Sequence, residues 1–283
     1  MAVRTVVIPA AGMGTRFLPA TRVTPKELLP IYDTPAIQFV IDEATAAGIE
    51  RVIIVTSRSK PSIEAYASSA STAKVAVCVV YQDSPLGLGH AISCARNAVG
   101  HEPFAVMLPD EIMGDSSLMK SLIALYDRTG TSSIGLKKVP ASEVSSYGNV
   151  RTAEMLSDGA TELISKSVSK PVSENLVSIS QVIEKPKLSE AVSDIVIIGR
   201  YVLAPNVFDH LATIKPSLNG EFQLTDALAL LANENQLVGI VSEITRYDTG
   251  TPMGLLRAVI EIALGRKDIG PQLQTWLENK FRN

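Results

Sequence analysis

The stretch V-V-I-P-A-A-G-M-G-T-R-F-L-P-A-T-R-V-T-P-K-E-L-L-P, Val6 to Pro30, decides how the chain is read. The β-branched residues between Val3 and Ile8 have the pattern of a strand buried on both faces, and they run straight into the glycine-bearing loop Pro9-Ala10-Ala11-Gly12. Gly12 and Gly14 let the backbone pass close to an anion and turn its N–H groups toward phosphate oxygens. Arg16 and Lys26 add two cations. A dinucleotide fingerprint is the nearest rival, but Phe17 stands at its third glycine, and Pro19, Pro25 and Pro30 forbid the long helix that must follow. Asp33, at about the distance of a ribose-binding acid, is the one residue that speaks for it. A Walker A loop fails for lack of a Gly-Lys-Ser/Thr ending.

Outward from this loop the chain alternates. Thr34 is placed to cap a helix with Pro35 in its first turn, and Ile37, Val40, Ile41, Ala44 and Ala47 follow at helical spacing until Gly48 stops it. Strands are expected at Arg51 to Thr56, Val75 to Tyr81, Phe104 to Leu108 and Ser133 to Val139, with helices from Pro61, at Leu88 to Ala98 and at Leu118 to Arg128. Such alternation calls for an α/β fold: a Rossmann-like, mostly parallel sheet with helices on both faces. After Pro140 the pattern changes to a hairpin, Thr161 to Ser169 and Leu176 to Ile183, joined at Lys170-Pro171-Val172-Ser173. A strand at Ile195 to Leu203, a helix at Thr225 to Ala232, a strand at Leu237 to Ile244 and a helical tail from Met253 to Phe281, broken at Gly270-Pro271, complete the reading. No linker or repeat interrupts it. One continuous unit is expected, with residues 1–139 as a nucleotide-binding half, 140–252 as a sugar-binding half and 253–283 as the tail.

Composition bounds the function. The 283 residues are 46% hydrophobic and 19% charged, with 26 Lys and Arg against 29 Asp and Glu, which excludes disorder as the main state. A net charge of −3 argues against nucleic acid or a membrane surface as partner and leaves room for a local basic site. Cys78 and Cys94 are too few for a disulfide scaffold; both read as buried thiols in a reducing cytoplasm. The apolar start is too short for a secretory signal.

Four further stretches carry chemistry. In Y-Q-D-S-P-L-G-L-G-H-A, Gln82 offers an amide donor and acceptor of the kind that reads a pyrimidine edge, and Gly87 lets backbone approach a base. His90, at the start of an apolar helix, reads as a packed or capping histidine rather than a general base. In V-M-L-P-D-E, Asp110 ends a buried strand at the sheet edge where open α/β folds bind ligands, placed to hold a hard cation. In Y-D-T-G-T-P, Asp248 opens a turn that could add a second carboxylate or be only a turn. Glu184 and Lys185 offer an acceptor for sugar hydroxyls and a cation for a phosphate. Adjacent strand residues point opposite ways, so both serve one pocket only if Pro186 marks a bend.

The string P-A-A-G-x-G-T-R-F-L-P-A-T with P-K-E-L-L-P resembles the sugar-nucleotide pyrophosphorylase superfamily of nucleotidyltransferases, and most closely the bacterial UTP:glucose-1-phosphate uridylyltransferases, over nearly the whole chain. The resemblance implies a mixed, mostly parallel sheet with a sugar-side β lobe. It implies that the loop at Ala10, Ala11, Gly12 and Gly14 wraps the nucleotide, that Arg16 and Lys26 hold its triphosphate and that Glu27 lies against the nucleoside. Gln82 and Gly87 would recognise the base, and Gly148, Glu184 and, more weakly, Glu221 the hexose, with Lys185 on the sugar phosphate. Asp226 falls in the same G-E-x-Q-L-T-D-A segment, as part of a helix cap. Asp110 would hold Mg2+, with Asp248 a second ligand as in the related thymidylyltransferases. The implied reaction joins UTP and glucose 1-phosphate to UDP-glucose and pyrophosphate, in a cytoplasmic homo-oligomer that takes neither nucleic acid nor membrane as partner. A sister enzyme using dTTP or another hexose 1-phosphate, and a non-catalytic sugar-nucleotide sensor, stay open from sequence.

Overall fold

The computed structural model describes residues 2–155 and 175–282. Five parallel-paired or central strands form the first half: β1 (Thr5–Pro9), β4 (Arg51–Thr56), β5 (Ala76–Tyr81), β6 (Phe104–Met107) and β8 (Ser132–Lys138). Between them run α1 (Ala36–Ala46), α2 (Pro61–Ala70), α3 (Leu88–Cys94), α4 (Arg96–Val99) and α5 (Ser117–Thr129). The second half contributes β9 (Gly148–Met155), β10 (Leu176–Glu184), β11 (Ile195–Leu203) and β12 (Leu237–Val241). All nine join one sheet in the order β5-β4-β1-β6-β11-β8-β12-β10-β9. The β5-β4-β1-β6 block is parallel throughout. β11 then enters antiparallel between β6 and β8, so the second half is mixed.

Burial explains the pattern. β1, β6 and β11 are buried along their length, as strands must be when helices cover both faces. One core layer packs Ile37, Ile41 and Leu122 against the sheet. The other packs Ile92, Phe208 and Leu228, with Phe104 and Phe208 stacked at 5.0 Å. Two small ribbons complete the fold: β2 (Pro30–Ile31) with β3 (Thr34–Pro35), and β7 (Glu111–Met113) with β13 (Arg246–Asp248). The tail helices, Pro252–Leu264 and Gly270–Phe281, follow β13.

Three expectations change. Thr34 does not cap α1: it pairs in the β2–β3 ribbon, the cap position falls on Pro35, and the Thr34 hydroxyl bonds Asp33 instead. Cys78 is exposed, because β5 is the sheet's outer strand and an edge strand has one open side; Cys94, at the end of α3, is half-buried. The proposed strand Thr161 to Ser169 and its turn lie outside the described residues; among the described residues Leu176–Glu184 pairs with β9 and with β12. Among the described residues no helix is long and apolar enough to cross a membrane.

Candidate active site

A cavity of about 670 Å3 opens where the loops after β1, β5 and β6 meet the start of β9, the end of β10, residues 221–225 and residues 248–250. Of the residues singled out from sequence, Arg16, Lys26, Lys185, Ala11, Gly12, Gly14, Glu27, Gln82, Gly87, Gly148, Glu184, Glu221, Asp110 and Asp248 all line it. Ala10 does not. It is fully buried, its N–H donates to Val55, and its carbonyl accepts from Lys60 Nζ at 2.8 Å, so it fixes the root of the loop and offers no polar group to a ligand. Asp33 is also elsewhere, paired with Arg266 of the tail at 3.0 Å, which removes the dinucleotide reading's supporting residue.

The loop is closed by its own backbone. Gly14 sits at φ 64, a left-handed conformation that favours glycine, and a Cβ there would lie 3.1 Å from Thr21 Cγ2. The Thr21 hydroxyl donates to the Gly14 carbonyl at 2.8 Å. Pro25 then starts a short turn that aims Lys26 across the cavity, where Nζ meets Asp110 Oδ2 at 2.6 Å. Burial disfavours both charges, but the attraction and hydrogen bond between them win: the Lys26 ammonium is held above its ordinary pKa and the Asp110 carboxyl below its own. Arg16 is exposed and makes one long contact, 3.5 Å, to the Gly250 carbonyl.

The turn that carries Asp110 is held from behind by Arg200, which is wholly buried. Its guanidinium bonds Glu43 through Nε (2.9 Å) and Nη2 (2.6 Å), and also the carbonyls of Leu108, Gly199 and Glu111. These contacts use all five donors of an arginine and pin both ends of the Leu108–Glu111 turn. Asp248 comes alongside through the β7–β13 ribbon, which pairs it with Glu111. Tyr147 donates to Asp248 Oδ2 at 3.2 Å, and Arg246 joins the Tyr147 hydroxyl (2.8 Å) to Glu111 Oε2 (2.9 Å). A Cβ built on Gly250 would stand 3.1 Å from Asp248 Oδ1 and 3.3 Å from Asp110 Oδ2; the two carboxylates thus share one small space that only glycine leaves free. Among the described residues no group of three or more His, Cys, Asp or Glu could hold a metal ion. Two carboxylates suit a hard cation of the Mg2+ type, which takes one or two of them plus substrate phosphates.

At the wall formed by Glu27 and Gln82, Glu27 is buried rather than presented: Lys60 Nζ lies 3.0 Å from its Oε2. Burial pushes the Glu27 carboxyl up and the Lys60 ammonium down, each only partly offset by the other's charge. Gln82 is buried at the end of β5, its N–H on the Thr56 carbonyl. Its Nε2 donates to the Gly87 carbonyl at 3.1 Å and meets His90 Nδ1 at 2.9 Å. Both amide hydrogens are thus committed within the protein, and the expected donor-plus-acceptor use of this side chain reduces to its Oε1. His90 is a hydrogen-bonded partner of Gln82 and does not line the cavity.

At the far wall, β10 ends at Glu184 and the bend falls on Lys185 itself, at φ 39, one residue before Pro186. That strained turn brings two adjacent side chains to one cavity, where Lys185 Nζ rests 3.1 Å from Glu184 Oε1. Thr225 donates to Glu184 Oε2 at 3.0 Å. Gly148 lies opposite Glu184 in the ladder, and a Cβ there would come within 3.1 Å of both Thr225 and Ile197. The Glu221-Phe222 segment straps the loop after β5: Phe222 N–H donates to Leu86, and Gly89 N–H to Phe222. Asp226 is in the first turn of helix Leu224–Asn233, without a capping bond, and does not line the cavity.

Sequence reading missed Lys60, Tyr147, Glu111, Arg200 and Arg246. Two carried a signal. Arg200 interrupts the apolar run Ile195 to Leu203, and Arg246 precedes Asp248 by two, on the same strand face.

Residues 5–263 match the family model described as nucleotidyl transferase. The UTP–glucose-1-phosphate uridylyltransferase YngB of Bacillus subtilis (strain 168) is 37% identical over an alignment covering 99% of this chain and 96% of that protein. A UTP–glucose-1-phosphate uridylyltransferase of Staphylococcus epidermidis is 36% identical, with 98% of each covered. A crystal structure of a UDP-glucose pyrophosphorylase complexed with UDP-glucose superposes with a TM-score of 0.83 at 34% identity, covering 93% of this chain and all of that one. A UTP-bound UGPase from Acinetobacter baumannii superposes equally, at 32% identity, covering 97% of this chain and 98% of that one.

Proposed function

The chain belongs to the nucleotidyl transferase family, and from that premise we propose that it transfers the uridylyl group of UTP to glucose 1-phosphate, giving UDP-glucose and pyrophosphate. Its full-length relatives carry this activity in their names, and similar structures are described with UDP-glucose and with UTP bound. The observation that carries the reading is the arrangement of charge: Arg16, Lys26 and the glycine loop line one side of a single cavity, and Lys185 lines the other. Two phosphate-bearing substrates can meet between them.

In this reading the loop amides, Arg16 and Lys26 bind the triphosphate, while Lys185 holds the phosphate of glucose 1-phosphate and Glu184, Gly148 and Glu221 its hexose. An oxygen of the sugar phosphate attacks the α-phosphorus in line. The bond from the α-phosphorus to its bridging oxygen breaks, and the electron pair leaves with pyrophosphate, whose charge Arg16 and Lys26 neutralise. The residues lining the cavity include neither histidine nor cysteine, so no activated nucleophile of the Ser–His or Cys–His kind faces the substrate, and direct displacement follows. A divalent metal serves this family, and Asp110 and Asp248 would hold Mg2+, which supplies charge neutralisation at the phosphate oxygens. Residues 1–139 then act as the nucleotide half of one unit and 140–252 as the sugar half. The exposed apolar side chains of the tail, Met253, Leu256, Trp276 and Phe281, support a homo-oligomer. We place the reaction in the cytoplasm.

Pyrophosphate release across a panel of nucleoside triphosphates and sugar 1-phosphates tests the reading. UTP with glucose 1-phosphate should give the highest kcat/KM; a preference for dTTP would make the Asp248-Thr249-Gly250 turn the better guide, and no release from any pair would leave a sensor.

A further inference from the structure

We infer that His90 is a positioning residue that holds Gln82 as a hydrogen-bond acceptor toward the base, so that the site selects pyrimidines carrying a hydrogen on N3. This rests on the reading of Gln82 as the base contact. The argument begins with Gly87. A backbone carbonyl only accepts, and the Gly87 carbonyl lies 3.1 Å from one terminal atom of Gln82; that atom must therefore be the amide nitrogen, which fixes an orientation that side-chain shape alone leaves open. The carbonyl cannot drift to suit another partner. Gly87 is at φ 92, wedged where a Cβ would stand 2.8 Å from both Glu221 Cβ and the Phe222 carbonyl, and Gly89 N–H and Phe222 N–H tie the loop down on either side.

With the nitrogen so fixed, its second hydrogen points at His90 Nδ1, 2.9 Å away. The ring must accept there, which sets the neutral tautomer with its proton on Nε2, facing Cys94 Sγ at 3.9 Å. Oε1 then remains as the polar atom of Gln82 with no protein partner among the described residues, on a side chain that lines the cavity. An acceptor held in place matches the N3–H of uracil or thymine. Against cytosine it would set a lone pair facing the unprotonated N3, a mismatch that discriminates by leaving both groups unpaired. Removing His90 frees one amide hydrogen and leaves the Gly87 carbonyl as the amide's single tether, so Gln82 can swing about that bond and offer the freed hydrogen to cytosine N3 as well as Oε1 to uracil.

Two measurements test this. Nitrogen-15 spectra of the histidine rings, of which the chain has three, should show His90 protonated at Nε2 and not at Nδ1; protonation at Nδ1 overturns the inference. In kinetics, His90→Ala should lower the UTP/CTP ratio of kcat/KM about tenfold, the size of one hydrogen bond to a buried group. The change should lie in the KM values for nucleotide, with the KM for glucose 1-phosphate unaltered. His90→Asn, whose amide oxygen falls near the place of Nδ1, should recover most of the ratio, which a merely destabilised helix would not. A ratio unchanged in His90→Ala, in an enzyme where Gln82→Leu does weaken UTP use by about tenfold, defeats the role of His90 and leaves Gln82 as the base contact. UTP use unchanged in Gln82→Leu defeats the base contact itself.

Discussion

The two sides of the cavity store positive charge differently. On the side proposed for the nucleotide Lys26 is 20% exposed and already bonded to Asp110, 84 residues away, and behind it Lys60 is 11% exposed and bonded to Glu27. On the sugar side Lys185 is 57% exposed and leans on Glu184, its neighbour in sequence. A cation held by a remote carboxylate is fixed in direction before any ligand arrives, whereas one on a strained turn can swing. Under the proposed roles, triphosphate binding is an exchange of partners inside a preformed site, and sugar-phosphate binding draws on an exposed cation held only by its sequence neighbour. The difference also separates roles: preorganised charge acts on the transition state, and mobile charge acts mainly on binding.

Replacing Asp110 with Asn should break the nucleotide side most severely, lowering kcat by roughly 10³-fold, because Lys26 loses its anchor and the hard-cation site loses its charge. Asp248→Asn should do less in the same Mg2+ titration; the reverse order would make the β13 carboxylate the principal ligand. Lys26→Ala and Arg16→Ala should each reduce kcat by about 10²- to 10³-fold with folding intact, and near-normal pyrophosphate release from either would remove it from the leaving-group site. Lys185→Ala should instead raise the KM for glucose 1-phosphate roughly 10- to 100-fold, the scale of a hydrogen bond to a charged group, and leave the KM for UTP in place. If kcat falls and KM does not, the contrast between the two sides is wrong. The smallest net change is expected from deleting both ends of the buried pair. Lys60→Met alone strands a buried carboxylate and should lower stability by about 3–5 kcal/mol, while Lys60→Met with Glu27→Gln should return to within about 1–2 kcal/mol of the parent in denaturant melts.

What could be read from sequence follows the range of the forces involved. The parallel block was legible because strands covered on both faces must be apolar throughout, and the glycine loop because left-handed backbone at Gly14 restricts residue choice. The same logic misplaced Cys78, since an apolar run does not say whether its strand is central or at an edge. The β7–β13 ribbon was invisible: three-residue strands leave no periodicity, and Arg246 and Glu111 meet across 135 residues. Gln82 and Lys185 were found as residues but not as geometries. The first needed His90 and Gly87 to be seen around it, and the second needed a backbone angle that no alternation of side chains encodes.

The Glu221-Phe222 strap bears on how this scaffold can be altered. Its hydrogen bonds to Leu86 and Gly89, and the absence of room for any side chain at Gly87, make the wall proposed for the hexose and the floor proposed for the base one mechanical piece. Residues 82–90 and 219–225 are therefore a single unit of inheritance. A chimera that imports a relative's hexose loop alone inherits a mismatched base loop with it, and its nucleotide choice should blur even though no residue touching the nucleotide has changed. Transplanting the two segments together should move sugar preference and leave base preference sharp.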